Sequence, residues 1–309
     1  MKLAALDVGS NTVLMLVVEF GEDRKPHAVA EMSRITRLGR GVDAHKRLDQ
    51  AAAQQTLDAI AEFADKARAL GAEKIVGAAT AALRDAADGQ DFLARVRDRA
   101  GVTLEIISGE EEARLSYLST RNGLALDPSA KLLIVDIGGG STELIRAEPD
   151  RELEVTSLQI GSVRLTERFV HNDPPSAREA TDLRVGVDNE LHKLGWKLRP
   201  DVMVGIAGTV TTVCAIALGL EHYSSEVVHG HRLANQEVLR VISMLGAQPL
   251  EERKKLRGME PGRADVLFAG VAILERLMEH FGQSEVVVSD QGVRWGLVWR
   301  ELEKLPGAR

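Results

Sequence analysis

The chain has 309 residues, of which 44% are hydrophobic and 28% are charged, and this composition is typical of a globular protein with more than one hydrophobic core. Its formal net charge of -7 and its pI of about 5.7 argue against binding to duplex nucleic acid, which usually requires a basic face. No apolar run reaches the roughly 20 residues that cross a bilayer, and a single cysteine, Cys214, excludes an internal disulfide. We therefore expect a cytoplasmic protein with no nucleic-acid or membrane partner.

Residues 2–20 are repeated in residues 131–149, and this repeat is the most informative feature of the sequence. When the two segments are aligned from their first residues, Thr12 faces Ser141. The identical pairs are Lys2 and Lys131, Leu3 and Leu132, Asp7 and Asp136, Gly9 and Gly138, and Glu19 and Glu148. Each copy consists of an apolar strand, a turn of small residues that begins Asp-x-Gly, and a second apolar strand, which predicts a β-hairpin. The duplication predicts an α/β fold class with two similar domains and an interdomain cleft.

A helix and two strands are predicted after the first hairpin. Asp49 can cap a helix that ends at Leu70, because apolar residues recur at helical spacing and Gly71 follows the last turn. Residues 75–79 and 102–107 are predicted to form buried strands, because both runs are short and apolar.

Strands and helices also alternate in the second half of the chain. Ser176 and Glu179 have the spacing of a capping box at the start of a helix. The later predicted elements are a strand over 202–207, helices over 209–218 and 263–281, a strand over 286–288, and a C-terminal helix that contains Trp295. A break at Asp127 separates domain I, residues 1–126, from domain II, residues 127–309, and we expect that the C-terminal helix can pack back on domain I.

Three turns have the composition of anion-binding loops. Residues 7–12, here called loop 1, read Asp-Val-Gly-Ser-Asn-Thr, and residues 136–143, here called loop 2, read Asp-Ile-Gly-Gly-Gly-Ser-Thr-Glu. Glycine lets the backbone approach an anion closely, and successive backbone N–H groups can bind phosphate. Residues 205–212 follow a predicted strand and open a helix, whose N-terminal N–H groups also favour an anion. The two matched loops predict a phosphate site.

Loop 2 also predicts a divalent metal. The carboxylates of Asp136 and Glu143 would repel a phosphate beside them unless a cation offset their charge. Oxygen ligands and phosphates are the partners that Mg²⁺ prefers in proteins. Mg²⁺ or Mn²⁺ is therefore the expected cofactor.

Glu110, Glu111 and Glu112 lie at the start of a predicted helix and are candidates for a general base. Glu111 has the spacing of a capping box with Ser108, and Glu110 can pair with Arg114 one turn later. Glu112 has no obvious structural task, although any acid in the first turn also favours the helix dipole. These patterns alone leave the three acids close to equivalent.

Four segments together resemble the exopolyphosphatase and guanosine pentaphosphate phosphohydrolase family, which belongs to the superfamily of sugar kinases, heat-shock ATPases and actin. The segments are residues 7–12 (DVGSNT), 107–115 (ISGEEEARL), 136–143 (DIGGGSTE) and 289–296 (SDQGVRWG). The resemblance covers nearly the whole chain and is to the short members of the family. It implies two actin-like (ribonuclease H-like) domains. Trp295 departs from the pattern, because many relatives have a glutamate there.

The resemblance also implies roles for individual residues. The glutamate directly before the Ala-Arg pair is the family's catalytic residue, which selects Glu112. Arg84 matches an arginine that contacts phosphate, and a salt bridge with Asp85 or Asp88 is the structural alternative. The implied substrate-binding residues are Asp7, Gly9, Ser10, Asn11 and Thr12 in loop 1, Gly138, Gly139, Gly140 and Ser141 in loop 2, and Gly208 and Thr209 in the third turn.

These assignments predict a hydrolase that removes the terminal phosphate of inorganic polyphosphate as orthophosphate. Glu112 would deprotonate a water in line with the terminal phosphorus, and Arg84 would stabilise the transition state. The nearest alternative is removal of the 5′ γ-phosphate of guanosine pentaphosphate. An ATP-dependent small-molecule kinase is less favoured because the sequence has no clear adenosine motif, and a nucleotide-binding scaffold is less favoured because Glu112 indicates catalysis. The expected ligands are polyphosphate and guanosine pentaphosphate, and the expected assembly is a homodimer.

Overall fold

The structure of the protein, a computed structural model, describes residues 1–21, 25–196 and 199–304. The chain divides into two compact units. The first unit combines Met1–Asn122 with the C-terminal segment that begins at Gly292, and the second unit is Gly123–Gln291. The predicted boundary between residues 126 and 127 lies a few residues inside the second unit, and the C-terminal helix belongs to the first.

Strands and helices alternate along both units. The strands are β1 (Lys2–Val8), β2 (Thr12–Phe20), β3 (Pro26–Ile35), β4 (Lys74–Ala79), β5 (Glu105–Ile106), β6 (Leu132–Ile137), β7 (Thr142–Ala147), β8 (Glu154–Leu158), β9 (Val202–Ile206), β10 (Arg232–Ala234) and β11 (Glu285–Val288). The helices are α1 (Val42–His45), α2 (Gln50–Ala69), α3 (Ala81–Asp85), α4 (Gly89–Ala100), α5 (Gly109–Gly123), α6 (Ser162–Phe169), α7 (Ala177–Leu191), α8 (Ala207–Ala217), α9 (Ser225–Val228), α10 (Asn235–Gly246), α11 (Leu250–Arg253), α12 (Leu267–His280) and α13 (Val293–Glu303). Within the described ranges, no helix is both long enough and apolar enough to cross a membrane.

Each unit contains one sheet, and the two sheets share a strand order. The first sheet runs β3-β2-β1-β4-β5, with β1 antiparallel to β2 and parallel to β4. The second runs β8-β7-β6-β9-β11-β10, and β6 is likewise antiparallel to β7 and parallel to β9. This shared order confirms the α/β duplication predicted from the hairpin repeat. In each sheet the repeated loop joins the central strand to its antiparallel neighbour.

The helix caps follow the local sequence closely. The Asp49 side chain accepts the N–H of Ala52 at 2.9 Å, and α2 ends at Ala69 with Gly71 in the left-handed conformation (φ 84°) just beyond it. Ser176 and Glu179 form the predicted reciprocal capping box at the start of α7. Both of these helix starts are confirmed as predicted.

The central strand β1 is buried on both faces, which explains why the C-terminal helix belongs to the first unit. Leu6 packs in the cluster that includes Phe63 of α2, whereas Leu3 packs in a cluster with Trp295 of α13. Gly296 allows α13 to approach closely, because a Cβ atom there would lie 2.2 Å from the carbonyl oxygen of Leu115. Trp295 is therefore a core residue, with only 6% of its surface exposed.

Two predicted elements, a strand and a helix, are shorter in the structure than the sequence predicts. The strand predicted over 102–107 is limited to β5, which pairs in parallel with Ala78 and Ala79 of β4. The helix predicted over 263–281 begins only at Leu267. Pro261–Arg263 form a separate 3-10 turn, closed by the Arg263 side chain on the carboxylate of Glu260 at 2.6 Å.

Candidate active site

Loop 1 and loop 2 close in the same way. The N–H of Gly9 donates to the carbonyl oxygen of Thr12 at 3.0 Å, and the N–H of Gly138 donates to that of Ser141 at 3.0 Å. The repeated Asp-x-Gly sequence thus forms the same tight turn in both units.

The segment that follows β3 binds the carbonyl groups of loop 1. The carbonyl oxygen of Asn11 accepts the N–H groups of Thr36 and Arg37, both at 3.0 Å. The carbonyl oxygen of Ser10 accepts the N–H of Gly39 at 2.7 Å, and a Cβ atom at Gly39 would lie only 2.8 Å from that of Ser10. Loop 1 is therefore fixed from one side by close backbone packing.

The start of α6 binds loop 2 in the same manner. The carbonyl oxygen of Gly138 accepts the N–H of Ser162, and that of Gly139 accepts the N–H of Val163, both at 2.9 Å. Gly161 permits this approach, because a Cβ atom there would lie 2.3 Å from the carbonyl oxygen of Gly139. Both loops thus have their carbonyl groups engaged by the chain behind them.

This arrangement leaves a set of backbone N–H groups directed away from the supporting segments. In a trans peptide the C=O and the following N–H point in opposite directions, so a carbonyl that is bound on one side turns its N–H to the other. Across the described parts of the chain, the N–H groups of Ser10, Asn11, Gly139 and Gly140 find no acceptor. Successive N–H groups of this kind form an anion-binding concavity. Both loops therefore have the geometry that phosphate binding requires.

The third turn lies beside loop 2 in the second unit. Ala207 has a left-handed backbone (φ 64°), which is strained for a residue with a side chain and starts α8 two residues before its predicted beginning at Thr209. The Thr209 hydroxyl donates to the carbonyl oxygen of Ile137 at 2.9 Å and fastens the first turn of α8 to the end of β6.

Arg263 covers the third turn and was not singled out by the sequence analysis. Its guanidinium group lies against Gly208, where a Cβ atom would be 2.2 Å from Nη1. A side chain at position 208 would therefore have to displace the guanidinium group of Arg263. The sequence signal for Arg263 is its place at the end of the Glu-Pro-Gly-Arg turn, which precedes an apolar helix. The location of Arg263 beside Gly208 depends on tertiary packing and cannot be predicted from this signal.

Glu111 has a structural role at the start of α5. Its N–H donates to the Ser108 hydroxyl at 3.1 Å, which is one of the two hydrogen bonds of the predicted capping box. Its carboxylate accepts from Arg300 at 2.9 Å and lies 3.5 Å from Arg114. The predicted pair between Arg114 and Glu110 is therefore wrong, because within the described residues Arg114 contacts Glu111.

The structure brings the two predicted catalytic residues together. Nη1 of Arg84 lies 3.6 Å from Oε2 of Glu112, and it donates to the carbonyl oxygen of Ile107 at 3.0 Å. Nε of Arg84 also lies 3.8 Å from Asp85, so one of the predicted structural pairs is formed as well. The Glu112 side chain is 20% exposed, which leaves its carboxylate accessible to a water molecule.

Loop 1, Arg84 and Glu112 lie at the same edge of the first sheet. β1, β4 and β5 run parallel, and loop 1, α3 and α5 follow directly after them. The carboxyl ends of parallel strands are where open α/β sheets bind ligands. In the second unit, loop 2 and the third turn follow the parallel strands β6 and β9 in the same way.

Asp7 is an unusual carboxylate at the end of β1. Its Oδ1 atom is buried and finds no hydrogen-bond donor within the described residues. Burial raises the pKa of Asp7 from its ordinary value of 3.8 to about 6, although the positive charge of Arg294 acts in the opposite direction. An ionised Asp7 therefore lowers the free energy of unfolding of the protein.

We expect the Asp7→Asn variant to be more stable than the wild type at pH 8, by about 1–3 kcal/mol in the free energy of unfolding. Below about pH 6 the folded wild type binds a proton that the unfolded chain does not, so wild-type stability rises as the pH falls toward 3.8 and the difference shrinks. Urea unfolding at pH 8 and pH 5 measures this change. Asp98→Asn, which alters an exposed acid on α4, is the control, and an equal response of both variants to pH would contradict the assignment.

Asp136 and Glu143 face each other across loop 2. They are directly opposite in the register of β6 and β7. Oε1 of Glu143 accepts from the hydroxyls of Ser141 at 2.7 Å and Ser157 at 2.8 Å, which fixes its position. Like charges that are directly opposite in a sheet destabilise it unless a cation offsets them. In the first unit the partner of Asp7 is Leu14, so this pair of acids belongs to loop 2 alone.

The pair suits an ion that takes few ligands from the protein. Within the described residues, no group of three or more His, Cys, Asp or Glu side chains could enclose a metal ion. Mg²⁺ usually binds through one or two carboxylates and takes its remaining ligands from water and substrate phosphates. The donor set of Asp136 and Glu143 therefore fits Mg²⁺ and does not fit a closed structural zinc site.

Comparison with known proteins agrees with this geometry. Residues 16–305 match the Ppx/GppA phosphatase family. The chain is 33% identical to exopolyphosphatase 2 of Mycobacterium tuberculosis over 96% of this chain and 97% of that protein. The crystal structure of a Ppx/GppA family member from Aquifex aeolicus is similar, with a TM-score of 0.84 and 33% identity over 98% of each chain. The family match extends from within β2 through α13, and on this basis the chain belongs to the Ppx/GppA phosphatase family.

Proposed function

We propose that the protein is an exopolyphosphatase that hydrolyses the terminal phosphoanhydride of inorganic polyphosphate and releases orthophosphate. The observation that carries this proposal is the pair of Glu112 and Arg84, with 3.6 Å between their charged atoms, at the sheet edge that also presents the N–H groups of loop 1. The choice of substrate is supported by the full-length similarity to the mycobacterial exopolyphosphatase.

Glu112, Arg84 and the loop N–H groups each have a role in phosphoryl transfer. Glu112 accepts a proton from the attacking water as the new P–O bond forms, and the bridging P–O bond breaks so that the shortened polyphosphate leaves. Arg84 offsets negative charge on the phosphoryl oxygens, and the loop N–H groups bind those oxygens without reorganisation. Arg84 is held in place before substrate binds by its hydrogen bond to the carbonyl group of Ile107, and Glu112 is held by its contact with Arg84.

The proposal includes a divalent metal at loop 2. Asp136 and Glu143 would hold Mg²⁺ or Mn²⁺, and Ser141 and Ser157 would keep the Glu143 carboxylate oriented. When bound, the ion neutralises charge on the substrate phosphates. The metal is supported by the facing carboxylates of Asp136 and Glu143, which would otherwise repel the anion that loop 2 is shaped to bind.

Guanosine pentaphosphate is the second candidate substrate. A relative from Vibrio vulnificus is named guanosine-5'-triphosphate,3'-diphosphate pyrophosphatase and is 32% identical over 98% of this chain. This chain covers 59% of that protein, whereas it covers 97% of the mycobacterial exopolyphosphatase. Both substrates present a terminal phosphoanhydride to the same residues.

The products of polyphosphate cleavage test the proposed activity. With a polyphosphate of defined length, we expect orthophosphate as the small product and a series of chains that shorten from the end. Pyrophosphate release or internal cleavage would contradict the proposal. A cytoplasmic location and a homodimeric state stay predictions from the sequence, to be measured by fractionation of cells and by light scattering.

A further inference from the structure

Arg300, on the C-terminal helix α13, links the edge strand β5 to the helix that carries Glu112. Its Nη1 donates to Oε1 of Glu111 in the first turn of α5 at 2.9 Å, and its Nη2 donates to Oε2 of Glu105 in β5 at 3.2 Å. The Arg300 side chain is only 15% exposed, so solvent screens these ion pairs less than pairs on the open surface. One guanidinium group therefore joins two carboxylates on successive elements of the first unit.

These two carboxylates bracket the segment that places the proposed catalytic residues. Within this segment, the carbonyl oxygen of Ile107 accepts Nη1 of Arg84 at 3.0 Å. The next carbonyl oxygen, that of Ser108, accepts the N–H of Glu112 at 3.0 Å. A shift of the segment would therefore move both the general base and the anchor of the arginine beside it.

The first turn of α5 carries charges that oppose this placement. Residues 110–112 are three consecutive glutamates, and Glu105 adds a carboxylate at the end of the preceding strand. Like charges at such short range repel each other. Arg114 also contacts Glu111, but it belongs to α5 itself and cannot fasten this helix to the sheet. Arg300 comes from a different element and contacts both the helix and the strand.

We propose that Arg300 is a positioning residue that fixes the segment from Glu105 to Glu111 and, through it, the place of Glu112 beside Arg84. Arg300 acts through the backbone of this segment and not by contact with the substrate. Its loss should therefore reduce turnover and leave substrate binding largely intact. This inference rests on the proposed function, because it takes Glu112 as the general base.

Three variants separate a positioning role from a merely structural one. Arg300→Met removes both ion pairs, whereas Glu111→Gln keeps an oxygen that can accept from Arg300. Arg300→Lys keeps the charge but lacks the planar fork that binds two carboxylates at once. Lys74→Met is the matched control, because Lys74 at the start of β4 pairs at 2.6 Å with Glu301, the next residue of α13. This control loosens the same helix at a different contact.

The first measurement is steady-state orthophosphate release from a polyphosphate of defined length, at a temperature where thermal unfolding shows every variant to be folded. For Arg300→Met we expect kcat to fall by about 10- to 100-fold and KM to stay within about twofold of wild type, since a small displacement of a catalytic group reduces the rate without weakening ground-state binding. Arg300→Lys should recover part of the lost kcat. Lys74→Met should keep kcat within about twofold of wild type.

The second measurement tests whether Arg300 acts through the general base. In a Glu112→Gln background, Arg300→Met should reduce the residual rate by a smaller factor than in the wild type, because the residue that it positions no longer accepts a proton. Hydrogen exchange of peptides that cover residues 105–115 reports the loosening without turnover. We expect faster exchange in Arg300→Met and wild-type exchange in Lys74→Met.

Three outcomes would overturn the inference: equal kcat values for Arg300→Met and Lys74→Met, an equal rate factor in both backgrounds, and unchanged exchange of residues 105–115. A failure of the proposed function is visible separately in the wild type. If the wild type hydrolyses guanosine pentaphosphate and no polyphosphate, the substrate assignment fails, and the kinetic comparison is decided on guanosine pentaphosphate. If it hydrolyses neither, the proposed function fails, and hydrogen exchange decides whether Arg300 fixes the segment.

Discussion

Replacement of Glu112 by Gln is expected to lower the turnover of the enzyme by about 100-fold or more, as is usual when a positioned general base is lost. Glutamine keeps the volume of the side chain but cannot accept the proton of the attacking water. The neighbouring acid is the matched control, since Glu111→Gln makes the same change one residue earlier. Glu111 pairs with Arg300 and Arg114, so its loss should mainly reduce the free energy of unfolding, by about 1–3 kcal/mol.

Steady-state orthophosphate release and thermal unfolding of both variants distinguish these effects. The assignment predicts a slow, stable Glu112→Gln protein and an active, less stable Glu111→Gln protein. The opposite ordering of turnover would mean that the wrong acid has been chosen as the base.

Removal of divalent metal is expected to abolish activity, because Asp136 and Glu143 would then repel the phosphate beside loop 2. Asp136→Asn leaves a single carboxylate. Loss even of a residue that supports a metal ligand commonly costs about 10–100-fold in metal affinity, so we expect the Mg²⁺ concentration for half-maximal rate to rise about tenfold or more. Asp182→Asn, which alters an exposed acid on α7, makes the same substitution away from the loop.

Rates measured across a Mg²⁺ titration after chelator treatment provide the test. The Asp182 variant should follow the wild-type curve. Full activity of the metal-free enzyme, or identical curves for the Asp136 variant and wild type, would rule out a metal at loop 2.

The parts of the fold that were predictable from the sequence are those set by local chemistry. The two hairpins follow from a repeated pattern of apolar strands around a glycine turn, and the caps at Asp49 and Ser176 follow from side chains that bind the N–H groups three residues ahead. These features depend on residues close in sequence. Their hydrogen bonds can therefore be predicted from the local sequence.

The parts that could not be predicted depend on residues far apart in the chain. Arg300 binds Glu111 across 189 positions, and Arg114 also lies against Glu111. The burial of Trp295 follows from the packing of α13 on β1. Arg263 contacts Gly208 from the 3-10 turn before α12, and Arg164 contacts loop 2 from α6. No local pattern in the sequence encodes these approaches.

The choice between the three first-turn acids shows the limit most clearly. The helix start at Ser108 makes all three acids plausible, and only the partners in space separate them. Glu111 is engaged by Arg300, whereas Glu112 lies beside Arg84 at the carboxyl edge of the sheet. Glu112 as the general base stays a prediction, which the Glu112→Gln variant tests.

Comparison of kcat/KM among polyphosphates of defined length, guanosine pentaphosphate and ATP tests the proposed function most directly. Orthophosphate release is measured for each substrate under the same Mg²⁺ and salt conditions, with the Glu112→Gln variant as the blank for contaminating hydrolases. We expect the highest kcat/KM for a polyphosphate, measurable hydrolysis of guanosine pentaphosphate, and little of ATP. A markedly higher kcat/KM for guanosine pentaphosphate than for every polyphosphate would contradict the exopolyphosphatase assignment and establish the alternative.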